Sequence, residues 1–390
     1  MRPQARKQLF NLVRILICVA ALAFVIRGVT WYDRVPLRDG SPPIVGVVSE
    51  ISETIRVDLP DGGVREIAHE NAVPDATGEP VIAYGLKSTW RNAHKLLLLL
   101  AVLIHFPVVL PQAWRFRLLL GAQGIAVGYW ECLKLSLAGN FLNFAAPLGS
   151  NAGDVFKAYF VSLHTEEHKT EAVATVILDR IIGLGSLLFV VAIITTLSPS
   201  GGPLAELRPY MLTMLAIGIV CAVAYLSPVL RRHIVPMSWV RRLPMFEQLR
   251  RLDRAAHVLA GRKGLVVVAI LLTVFLQALA MAAYCTVALA IGLDVGRHNW
   301  AECFAYFYTG TVVQALPGPP QGLGTVELAY RYFFSTLGSP SQIVCMALAI
   351  RVVVLICALP GLLVTITGSY RPAEASLIEE GVVLDPERVA

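Results

Sequence analysis

Apolar residues in this chain come in long blocks. Stretches at about 9–29, 95–113, 171–197, 209–227, 265–292 and 341–368 are each close to the length that crosses a bilayer as a helix, since a hydrocarbon core of ~30 Å takes roughly 20 helical residues. They predict six transmembrane helices. Two more apolar stretches, 131–163 and 301–337, are interrupted by Pro, Gly and small polar residues. Residues 31–94 have a different rhythm. Within them IVGVVSEISETIRVDLPDGGVREI alternates apolar and polar positions around a DGG turn, which predicts a small β-rich insert after the first span.

The interruptions are the unusual feature. A chain in lipid must satisfy its backbone N–H and C=O groups internally, and non-helical backbone is tolerated only inside protein or beside water. The first break reads AAPLGSNAGD and the second LPGPPQGLGTVE. Their surroundings match. Gly139 lies eight residues before Pro147, and Gly310 seven before Pro317. Gly149 and Gly153-Asp154 follow the first proline; Gly318, Gly322, Gly324 and Glu327 follow the second. Arg180 comes 33 residues after Pro147 and Arg351 comes 34 after Pro317, each inside an apolar run. The pattern predicts two membrane repeats, 95–200 and 265–368, each holding a re-entrant helical hairpin, at 131–163 and 301–337.

Charge sets the expected orientation. The N-terminus is basic, and the 228–264 loop carries nine Lys/Arg against Glu247 and Asp253. By the positive-inside rule both are cytoplasmic. The 31–94 insert, with ten Asp/Glu and six Lys/Arg, is then extracytoplasmic. Residues 1–30 form an N-terminal transmembrane helix, and 201–264 a span followed by a basic amphipathic stretch on the anionic inner leaflet. The acidic 369–390 tail is a disordered cytoplasmic end. With two re-entrant hairpins the count of crossings closes, and the two repeats run in opposite senses. The expected fold is therefore an all-α polytopic membrane protein. It has about six full spans, two re-entrant hairpins in an inverted repeat, and a β insert. Its place is the cell inner (plasma) membrane, with both termini cytoplasmic.

Composition agrees with the class. The chain is 56% hydrophobic and 15% charged, against about 25% charged in soluble domains. The formal charge of +6 is spread beside membrane spans and does not signal nucleic acid. The seven Cys are scattered through apolar segments with no CxxC pair, as small buried hydrophobes are.

The chemistry concentrates at the breaks. An Arg at mid-membrane costs roughly 2.5–3.5 kcal/mol to insert, so Arg180 and Arg351 need partners. Either they hold a phosphate or carboxylate ligand, onto which a guanidinium forks, or they pair with Asp154, Asp179 or Glu327. Asp154 and Glu327 each open a helix after a Gly turn, where a carboxylate also complements the helix dipole. Asn143, Asn151 and Gln314 supply polar groups nearby. The candidate substrate site is therefore Arg180, Arg351, Asp154, Glu327, Asn143, Asn151 and Gln314. The HTEEH run at 164–168 matches a zinc pattern but sits in a charged loop without a third ligand. No Ser-His-Asp set, Walker loop or nucleotide fingerprint is present, so neither a metal, a cofactor nor an enzyme is expected.

GNFLNFAAPLGSNAGDVFKAYFV, AVATVILDRIIGL, PGPPQGLGTVELAYRYFFSTLG and LAIRVVVLICALPG together resemble the lysylphosphatidylglycerol synthase transmembrane family. It is also called the flippase-like domain family and includes the membrane half of the multiple peptide resistance factor. The resemblance covers about 95–368. It implies re-entrant hairpins and lipid translocation. Gly153-Asp154, Arg180, the second turn with Glu327, and Arg351 stand at the family's motif positions. Nothing the size of the aminoacyl-transferase domain follows residue 368, so synthesis of aminoacyl lipid is not expected. The first turn is less Gly-rich than the family's, and the 31–94 insert lies outside its core. The implied activity is a lipid transporter moving an anionic phospholipid or a polyprenyl- or glycolipid headgroup through a polar cavity between the hairpins. The alternatives are an intramembrane enzyme and an accessory scaffold for lipid-linked envelope synthesis. The implied partners are the bilayer and a lipid substrate. Homo-oligomerisation, or an envelope protein docking on the insert, are further candidates.

Overall fold

The computed structural model describes residues 30–51, 54–74, 80–145, 152–163, 169–197, 203–226, 246–295, 300–315 and 322–367. The expected span at 9–29, the HTEEH run and the 369–390 tail lie outside the described residues. The chain divides into two compact units. One, the insert-bearing unit, is drawn from Met1–Leu103 and Met281–Val354; the other, the central unit, from Ile104–Ala280 and Leu355–Ala390.

In the insert-bearing unit, β1 (Asp33–Val35), β2 (Ile44–Ile51), β3 (Thr54–Asp58) and β4 (Val64–Ala68) form a four-stranded antiparallel meander in the order β1-β2-β3-β4. Alternation along β2 and β3 puts Ile44, Val48, Ile55 and Val57 into one core with Val35, Ile67 and Ala72. The ladder shifts register between Val48 and Glu50, a bulge that bends the ribbon.

The sheet is tied down by one carboxylate. Asp33 is fully buried. It accepts from Val48 N at 2.7 Å, from Gly85 N at 2.6 Å, and from the Ser88 hydroxyl. It thus joins β1 and β2 to the start of α1 (Leu86–Asn92). Gly85 has to be glycine, because a Cβ there would sit 2.5 Å from the Tyr32 carbonyl carbon. Thr30 N donates to Ser341 Oγ at 3.1 Å and Ser339 Oγ to Tyr84 O at 2.9 Å. His94 N donates to Ala290 O at 2.8 Å. The insert is thereby fastened to the ends of the apolar helices of its own unit.

The helices follow as α2 (Lys95–His105), α3 (Val109–Ala122), α4 (Tyr129–Ala145), α5 (Ala152–Leu163), α6 (Lys169–Leu197), α7 (Pro203–Leu226), α8 (Phe246–Gly261), α9 (Lys263–Ala290), α10 (Trp300–Ala315), α11 (Thr325–Phe333) and α12 (Pro340–Thr367). Among the described residues, five helical stretches are long and apolar enough to cross a membrane: Lys95–Ala122, Thr170–Leu197, Leu204–Val223, Lys263–Ala290 and Pro340–Thr367. Large apolar side chains such as Leu271, Phe275, Leu363 and Ile217 point outward from them. That is the expected surface where lipid replaces water as the solvent.

One boundary changes. The span beginning at Lys95 does not stop near residue 113 but continues to Ala122, because Arg115 turns inward and is buried. The basic stretch after 228 is helical over α8, where Ala255 and Leu259 pack with Leu119, Ala122, Ala174 and Leu178 of α3 and α6. Each interrupted segment forms two helices packed on each other, α4 with α5 and α10 with α11.

Replacing Asp33 by Ala removes one acceptor from three donors, two of them buried main-chain N–H groups. Each hydrogen bond to a charged group is worth about 1.5–3 kcal/mol, so the insert of Asp33→Ala is expected to open. Limited proteolysis within 31–94 checks this: cleavage at least tenfold faster than wild type is the expected result.

Candidate functional site

α4 and α5 meet through glycine. A Cβ on Gly153 would collide with the Gly139 backbone, so α4 and α5 touch main chain to main chain. Small residues permit such contact between membrane helices. Asn143 Oδ1 accepts from Gly153 N at 2.8 Å and so caps an orphan N–H at the start of α5. Asp154 stands in the first turn of α5. Its Oδ2 accepts from Arg180 Nε of α6. The side chains are 39% exposed for Arg180 and 21% for Asp154.

The insert-bearing unit repeats the arrangement. α11 opens at Gly324, whose φ of 87° is the left-handed region that glycine adopts without strain. Glu327, 3% exposed, reaches back so that its Oε2 accepts from Gly324 N at 2.7 Å. Its Oε1 accepts from Arg351 Nε at 2.8 Å and lies 2.7 Å from Nη2. Gly322, with φ 62°, leaves no room for a side chain, since a Cβ there would come within 2.7 Å of Val326 Cγ2 and 3.2 Å of the Gln314 α-carbon. Tyr330 fills the space that Gly310 leaves on α10; a Cβ on Gly310 would run into its ring. Each unit therefore holds a carboxylate in the first turn of a helix, clasped to an arginine inside an apolar span.

Of the predicted site residues, Asp154, Arg180, Asn143 and Gly153 are brought together in the central unit. Glu327, Arg351, Gly322, Gly324 and Gln314 are brought together in the insert-bearing unit. Pro147, Gly149, Asn151, Pro317 and Gly318 lie outside the described residues. Among the described residues no group of three or more His, Cys, Asp or Glu is placed to hold a metal.

Sequence reasoning missed a third pair. Arg115 Nη2 donates to Asp179 Oδ2 at 2.9 Å, and its Nε lies 2.8 Å from Oδ1. Arg115 Nη1 donates to Thr273 Oγ1 at 2.7 Å. The pair is almost fully shielded, with side chains 8% and 12% exposed, and it joins α3, α6 and α9. The signal was present. Arg115 shares a helical stripe with Leu119 and Ala122, at spacings of four and seven, which are apolar and buried. A residue on that stripe faces the interior.

Removing one member of a buried ion pair leaves the other uncompensated and costs about 3–5 kcal/mol, whereas an apolar replacement of both is close to neutral. Asp179→Ala or Arg115→Ala should therefore lower the thermal midpoint in detergent sharply. The double change Arg115→Met with Asp179→Leu should recover most of it. Fluorescence-detected thermal unfolding of the three variants checks this.

A family model described as the lysylphosphatidylglycerol synthase TM region matches residues 80–361. No curated protein matches the chain. The match is to the transmembrane region of that synthase family, not to its aminoacyl-transferase part. It takes in both breaks, both clasps and the buried Arg115–Asp179 pair. By fold and by matched length, the chain belongs to the lysylphosphatidylglycerol synthase transmembrane-region family, a flippase-like family of multi-pass membrane proteins.

Proposed function

We propose that this protein translocates a lipid with a negatively charged headgroup, either an anionic phospholipid or a polyprenyl- or sugar-linked lipid. The headgroup passes polar ground marked by the two arginine–carboxylate clasps, and the acyl chains stay in the bilayer. Family membership supports the class of activity. The observation that carries the mechanism is the clasp itself. Charges inside apolar spans are expensive and are retained where ions or polar groups pass.

The geometry suits an exchange. A guanidinium binds a carboxylate and a phosphate with the same planar fork. When a headgroup phosphate takes the arginine, the displaced carboxylate is not stranded. Glu327 keeps the Gly324 N–H, and both acids sit at helix N-termini, where the dipole favours negative charge. The arginine thus changes partner without leaving a bare ion in a poor solvent. Arg180, the more exposed of the two arginines, is the readier to exchange.

Reconstituted proteoliposomes with fluorescent lipid analogues test this. Arg180→Ala and Arg351→Ala are each expected to slow translocation by about tenfold or more, the loss of a contact worth roughly 1.4 kcal/mol or above. Arg→Lys variants should fall between. Translocation at the wild-type rate in the double alanine variant would sink the mechanism.

A further inference from the structure

Lys157 lies on α5 one turn beyond Asp154, so both residues project from the same helix face. It is 4% exposed. Among the described residues its ammonium forms no hydrogen bond and no ion pair; the Phe116 ring centroid lies 5.5 Å from Nζ. Its stem runs over Gly139, where a Cβ would come within 2.9 Å of Cε and 3.5 Å of Cγ. The glycine contact between α4 and α5 therefore also makes the slot that this lysine occupies.

The neighbouring charges are already matched. Asp154 holds Arg180, and Asp179 holds Arg115. Among the described residues three cations, Arg115, Arg180 and Lys157, face two carboxylates, which leaves one positive charge over. At the clasp of the insert-bearing unit, among the described residues, Arg351 is matched by Glu327. Counting three residues on from the clasp acid, Asp154 leads to Lys157 and Glu327 leads to Tyr330. Tyr330 is buried on Gly310 as Lys157 is on Gly139. The same slot holds a cation in one unit and a neutral phenol in the other.

We propose that Lys157 is a further anion-contacting residue of the central unit, beside Arg180, and that its slot takes a singly charged oxyanion of the phosphodiester class. A buried ammonium without a counter-charge is costly. One negative charge balances the group, whereas two would overshoot it. Lys157 then meets the ligand beside Arg180, the arginine that exchanges partners. The insert-bearing unit offers the ligand only its clasp. The assignment rests on the lipid-translocation reading for where the phosphodiester comes from.

The test uses the full chain purified into nanodiscs, with native mass spectrometry to count retained lipid. The probes are phosphatidylglycerol, a monoanionic diester, and phosphatidylcholine, a zwitterion. Wild type, Lys157→Arg and Tyr330→Phe should retain phosphatidylglycerol over phosphatidylcholine by roughly tenfold, the worth of one charge-assisted contact. Lys157→Met should retain the two alike; if it does not fold, Lys157→Gln takes its place. Adding water-soluble glycerophosphoglycerol separates the sources. Displacement of lipid by it shows that the slot takes free phosphodiesters too, and undiminished retention shows that it takes the lipid-borne one. A wild-type preference in folded Lys157→Met or Lys157→Gln would overturn the proposal, as would an equal loss in Tyr330→Phe. Translocation is read separately. A lost preference with no translocation in any variant leaves the anion slot standing and removes the transport reading. Intact translocation with an unaltered preference does the reverse.

Discussion

A charge inside an apolar span must bring its own counter-charge, and that requirement organises both units. Arg180 meets Asp154, Arg351 meets Glu327, and Arg115 meets Asp179. In each case the acid and the base come from different helices. The pair therefore fixes how those helices lie against each other as well as neutralising them. The energetic argument is asymmetric. Such a pair adds little over a well-packed apolar contact, but half of one is strongly destabilising. Once the arginines are present, their partners cannot be lost singly.

Glycine supplies the room for these pairs. Gly139 and Gly153 let α4 and α5 touch, and Gly361 brings α12 against the Leu137 carbonyl. With little hydrophobic drive between helices in lipid, close backbone approach and polar contacts do more of the holding. The acid of each clasp serves this end too, because it sits where a helix begins after a break. Glu327 satisfies the Gly324 N–H that the break has orphaned, and at the other break Asn143, eleven residues before Asp154, does so for Gly153. The helix breakers and the acids thus answer the same constraint, that no backbone group be left bare in a poor solvent. The β insert meets it another way, with Asp33 as a single buried acceptor for strand and helix start.

Much of this was legible in the residues. Long apolar blocks mark the five apolar helical stretches among the described residues, because helix length and bilayer thickness leave little freedom. Alternation and the DGG turn mark the meander, since side chains on a strand face opposite sides in turn. The Gly-Pro breaks and the acid that follows each mark where α5 and α11 begin. The α8 stripe was legible as amphipathic, but its partner was not. An apolar face looks the same whether a leaflet or another helix covers it.

What the residues left open was which charge meets which. Asp154, Asp179 and Glu327 were all eligible partners for Arg180. Asp179 is its immediate neighbour in the chain, and the fold sends it elsewhere. Successive residues on a helix point about 100° apart, so Asp179 and Arg180 face different neighbours: Asp179 reaches Arg115 of α3, and Arg180 reaches Asp154 of α5. The sequence by itself determined that the arginines needed carboxylates and where the helices must break. Only the packing of α3, α5 and α6 decided the pairing and left Lys157 over, because ion pairs are made across space, by helix faces whose rotation no single segment records.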